Sequence, residues 1–108
     1  MDRVLVASAV AESLFSTEAA VEEALAQAVV LMRQMIDAKR ALGVPAGAGD
    51  PALKRVTAAV EALGDAQREI IRTHGALEAL GRNLGLAPTG FGPLIKPLGR
   101  QTDAQPAE

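Results

Sequence analysis

Among the side chains that can do chemistry, one histidine and the carboxylates upstream of it come first. His74 is the sole histidine in 108 residues and cysteine is absent. Thiolate nucleophiles, disulfides and cysteine-based metal sites are therefore excluded. Glu18 and Glu22 stand four residues apart, so a helix puts both carboxylates on one face, where His74 could join them in a metal site or act as a general base or pH-sensitive contact. Carboxylate-rich metal bundles draw Glu-x-x-His motifs from several helices, and that motif is missing here. General-base catalysis also needs a positioned substrate and supporting polar groups, which the sequence around His74 does not offer. The simpler expectation is that His74 is a structural polar residue in a helix-packing layer and that the glutamates favour a helix N-terminus. No catalytic, cofactor-binding or metal-ligating residue is assigned, and no cofactor is expected.

Two other chemistries fail on spacing. The glycine-rich stretch 43–51 has no P-loop lysine and follows no strand pattern, which argues against a phosphate cradle. Lys39, Arg40, Lys54 and Arg55 flank that stretch, but the net charge is −2 and both signs are spread along the chain. Nucleic-acid affinity rests on a concentrated positive field, so duplex binding is not expected.

The elements that must position these residues read as helices. Alanine is abundant and only Phe15 and Phe91 are aromatic, so any core comes from Leu, Val, Ile, Met and Ala, which suit an all-α fold. Gly43 follows Lys39, Arg40 and Leu42 as a C-terminal stop, and Asp50-Pro51 supplies an N-cap oxygen followed by proline in the first turn. This predicts two long helices, near 17–42 and 51–84, folded as an antiparallel hairpin. A helical domain then occupies 1–86, and a Pro- and Gly-containing tail occupies 87–108, with disorder expected from about residue 100.

Heptad spacing gives the seams. On the second helix Leu53, Val56, Val60, Leu63, Gln67, Ile70, His74, Leu77, Gly81 and Leu84 alternate steps of three and four. On the first, Leu14, Glu18, Val21, Leu25, Ala28, Met32, Met35, Lys39 and Leu42 do the same, widened by Val29 and Ile36. Pairing Leu42 with Leu53 puts Met35 on Val60, Met32 on Leu63, Ala28 on Gln67, Leu25 on Ile70 and Val21 on His74, with Glu23 near Arg72 and Arg33 near Glu61. Gln67 and His74 then mark where the seam turns polar, and Gln67 can fix register or oligomeric state. For the N-terminal stretch a break near Phe15 is preferred to one continuous helix, which would outrun its partner in this register.

Small residues suggest a second packing surface. Ala59, Ala62, Gly64, Ala66 and Ala76 on the second helix, with Ala20, Ala24, Leu31, Ala38 and Ala41 on the first, lie beyond the seams and form a candidate oligomer interface. A homodimeric four-helix bundle is the expected way to cover them. In the tail, Phe91, Leu94, Ile95 and Leu98 are candidate partner-binding residues, and they can equally fold back to cap one end of the hairpin. The longest early apolar run, Val4 to Ala11, is interrupted by Ser8 and falls far short of the roughly 20 residues that span a bilayer, so no transmembrane segment is expected, and Ala7-Ser8-Ala9 makes a poor cleavage site. A cytoplasmic location is expected. The expected function is a non-enzymatic protein–protein interaction module, an assembly adaptor or small chaperone-like protein. Peripheral membrane contact through residues 2–15 is the alternative, and a small enzyme or metal binder around His74 the third reading.

Overall fold

A computed structural model describes residues 2–86, which form an antiparallel helical hairpin of α1 (Arg3–Leu42) and α2 (Asp50–Asn83). Asp2 caps the start of α1, its Oδ1 accepting from the Val4 amide at 2.8 Å. α1 ends where the sequence stops it. Gly43 takes a positive φ of 65°, its amide donates to Arg40 O at 3.2 Å, and the Val44 amide reaches Lys39 O at 3.3 Å. This double closure satisfies carbonyls that the last turn would leave open. The carbonyl of Gly49 accepts the first α2 bond from Leu53 N at 2.9 Å, so the cap lies one residue before the expected Asp50.

Two expectations are corrected. First, α1 runs unbroken through Phe15. Neither proline nor glycine occurs between Arg3 and Leu42, and Ser16 and Thr17 are accommodated within the helix. Second, the register is displaced. Thr57 rather than Leu63 reaches Met32, with Thr57 Oγ1 at 3.8 Å from Met32 Sδ, and Phe15 rather than Val21 packs against His74. The turn causes this, because it folds back on the last turn of α1: Lys39 Nζ donates to Ala46 O and lies 3.9 Å from the Asp50 carboxylate. The start of α2 therefore stands level with Lys39, and Leu42 projects past it, 75% exposed. This same displacement lets α2 serve the N-terminal residues of α1 that seemed to lack a partner. Local contacts also run along α1 itself. Arg33 Nε pairs with Asp37 at 3.2 Å, and Gln27 Nε2 donates to Glu23 at 3.0 Å.

The hairpin divides into two compact units, one made from the chain up to Ser16 together with the chain from Ile71, the other from Thr17–Ile70. In the second unit most seam residues of both helices face inward, Val56 buried and Val21, Leu25, Ala28, Met32, Met35, Leu53, Val60, Leu63, Gln67 and Ile70 half-buried, with Leu42 the exposed exception. Val29, expected to widen that stripe, is exposed. In the first unit Ala7, Ala11, Leu14, His74 and Gly81 are buried. Heptad spacing thus identifies the inward residues even where it misplaces their partners, since sliding one helix along its own seam keeps the seam inward.

Candidate functional site

The polar layer of the first unit is built around His74, 2% exposed, whose imidazole meets the Phe15 ring at a centroid separation of 5.8 Å and a tilt of 56°. This is a tilted ring contact within the range of separations at which aromatic pairs attract. α2 holds the imidazole inward because position 74 continues the seam set by Ile70 and Leu77. Among the described residues, no group of three or more His, Cys, Asp or Glu side chains is placed to hold a metal ion. The arrangement can lock the two helices in register by shape, since a histidine and a phenylalanine fit opposite each other only at one level. Gln67, the other polar seam residue, is half-buried in the second unit.

At the open end of the first unit lies an apolar groove of about 290 Å³, lined by Val6, Ala7 and Val10 from α1 and by Leu77, Leu80, Gly81, Leu84 and Leu86 from the end of α2 and just beyond. Two local devices shape it. Gly85 takes a positive φ of 76°, and the bonds Gly85 N to Arg82 O at 3.0 Å and Leu86 N to Gly81 O at 2.9 Å turn the chain so that Leu86 lies over the last turn of α2. Arg3 also reaches across from α1, its Nη2 donating to Leu84 O at 2.7 Å. This places a cation on the negative end of the α2 dipole and closes the rim. Neither Arg3 nor Phe15 was singled out by spacing for these roles. The one signal was that Arg3 is the only cation before Arg33.

The apolar surface at this end exceeds the groove. Val4, Leu5, Val6, Val10, Leu80 and Leu84 are all exposed, while among the described residues only Ala7, Ala11, Leu14 and Val56 are buried hydrophobics. α1 also contains an 18-residue window of mean hydropathy 1.5 with no more than two charged residues, of which 17% is buried. By length and composition alone this helix is long and apolar enough to cross a membrane, where the short run Val4 to Ala11 is not, and a helix-packing segment meets the same measure.

In the second unit the small residues form a face. Ala52, Ala59, Ala62 and Ala66 follow heptad steps beside the α2 seam, and Ala20, Ala24, Leu31 and Ala38 do so beside the α1 seam. Ala38 and Ala52 line the same recess of about 250 Å³ near the turn, so the two strips share a side of the hairpin there. Ala59, Ala62, Ala20, Ala24, Leu31 and Ala38 are exposed and Ala66 is half-buried. Gly64 is offset from the strip, and a Cβ on it would meet only the flexible end of Arg68 at 3.8 Å. Ala76, in the first unit, is exposed. At the turn, Lys39 is committed to Ala46 O and Asp50, while Arg40 lies 3.9 Å from Asp37, so half of the basic cluster is engaged locally. Phe91, Leu94, Ile95 and Leu98 lie outside the described residues.

No family model matches this chain, and comparison with curated proteins and with solved structures found no match.

Proposed function

We propose that the protein is a non-enzymatic interaction module, an assembly adaptor or small chaperone-like protein, whose first partner is a second copy of itself. The observation that carries this reading is the imbalance between buried and exposed apolar side chains: among the described residues Ala7, Ala11, Leu14 and Val56 are buried, against twelve exposed Val, Leu and Ile side chains. Two helices bury one stripe each against one another, and the remaining apolar strips need a further layer. The face containing Ala59, Ala62 and Ala66 beside its α1 counterpart suits a second hairpin, because alanine lets helix backbones approach closely and a two-fold axis brings the same patch of each copy together. Four helices then replace two.

Solution mass by light scattering, read together with proteins that copurify with the full chain, tests this reading. A dimer that unfolds at higher temperature as concentration rises supports it. A strictly monomeric chain of undiminished stability on dilution contradicts it.

The apolar, sparsely buried window in α1 favours a second reading, in which residues 2–15 rest on a membrane surface. Flotation with neutral and anionic vesicles separates the two. Cofloating of the full chain, lost in Leu5→Glu, favours lipid, and absence of the chain from the vesicle fraction removes this reading.

A further inference from the structure

We infer that the groove at the open end is occupied by the chain's own segment 91–98, which any outside partner must displace. The inference rests on the interaction reading and adds its regulation, since the groove becomes a binding site with a built-in competitor. Chemistry and tether length support it together. The groove is lined almost wholly by aliphatic side chains, and at about 290 Å³ it suits one or two large side chains. Segment 91–98 offers Phe91, Leu94, Ile95 and Leu98 and carries a single charge, Lys96.

The tether begins inside the site. Leu86, the last described residue, lines the groove, and the fold at Gly85 directs the chain over it. Phe91 follows five residues later, a reach of up to roughly 18 Å, which is ample to return to Val6, Val10 or Leu80. A short connection of this kind holds the segment at an effective concentration on the order of millimolar. A free apolar peptide of equal intrinsic affinity therefore has to reach a concentration on the order of millimolar to displace the segment, whereas the segment needs only modest affinity. Arg3, bound to Leu84 O, holds one wall in place for either occupant.

The absence of native cysteine permits a direct trap. Leu80→Cys combined with Ile95→Cys in the full chain is oxidised mildly and its mass read under denaturing, non-reducing conditions. The control pairs Ile95→Cys with Arg82→Cys, because Arg82 does not line the groove and lies 3.6 Å from Glu78. An intrachain disulfide at monomer mass, formed in at least fivefold higher yield than in the control, is expected. Equal yields overturn the inference, as does a disulfide found only at dimer mass, which would assign the groove to a second copy.

A second measurement does not depend on cysteine reactivity. Serine at 91, 94, 95 and 98 together should raise the fluorescence of anilinonaphthalene sulfonate several-fold with helix content unchanged, and unchanged dye binding is the contrary result. The solution mass of the same variants distinguishes the two proposals. Loss of the trap with the dimer intact removes self-occupancy alone, whereas a monomer with the trap intact removes the assembly reading.

Discussion

At the scale of single residues, the contact between Phe15 and His74 identifies the level at which the helices meet. The prediction is that Phe15→Ala and His74→Ala each destabilise the fold by about 2–4 kcal/mol, measured by urea denaturation, as expected for truncating a large side chain in a packed layer. Because the rings touch, the double variant should lose less than the two singles combined, with a coupling of at least about 0.5 kcal/mol. Strict additivity would mean that the pair does not act as one layer. A second residue-scale prediction concerns Arg3, whose hydrogen bond to Leu84 O is exposed. Arg3→Ala should cost about 0.5–1 kcal/mol, and Arg3→Lys should recover part of it in low salt only.

These roles also show where residue types were legible and where they were not. His74 was read from the sequence as a layer residue because position 74 continues the seam of Ile70 and Leu77, and its burial agrees. Its neighbour was misread as Val21. Side-chain type fixes which face of a helix is inward, but it does not fix the level of the opposing helix when several levels offer similar aliphatic contacts. That level depends on the path of a few turn residues, such as Lys39 reaching Ala46 O, and this long side chain's choice of acceptor leaves no pattern in the sequence.

At the scale of elements, the stop of α1 at Gly43 was legible because glycine there meets a backbone requirement that L residues resist. Gly43→Ala should therefore lower stability by about 1 kcal/mol, since an alanine Cβ is strained at a φ of 65°. Gly75 tests the opposite case. It sits within α2, and nothing lies within 4 Å of the position a Cβ would take. Gly75→Ala should raise stability by about 1 kcal/mol through helix propensity alone, read as a higher thermal midpoint. A lower midpoint would show that another chain packs against this glycine. The continuity of α1 was not legible, because Ser16-Thr17-Glu18 resembles a helix start. What outweighs that local signal is α2, which supplies Phe15 with a packing partner and Arg3 with an acceptor.

At the scale of the whole molecule, the hairpin leaves twelve large hydrophobic side chains exposed among the described residues, and a second copy on the small-residue face is the proposed remedy. Ala62 is exposed on the strip it shares with Ala59 and Ala66. Ala62→Arg should preserve the helical content of the hairpin while weakening self-association at least tenfold, because a long charged side chain prevents close backbone approach. The most direct measurement is the mass of the full chain in solution by sedimentation equilibrium across a hundredfold range of concentration. The account predicts a species of twice the 11.1 kDa chain mass that dissociates on dilution and is displaced toward monomer by Ala62→Arg. A stable monomer throughout that range, with both proteins equally folded, would contradict it.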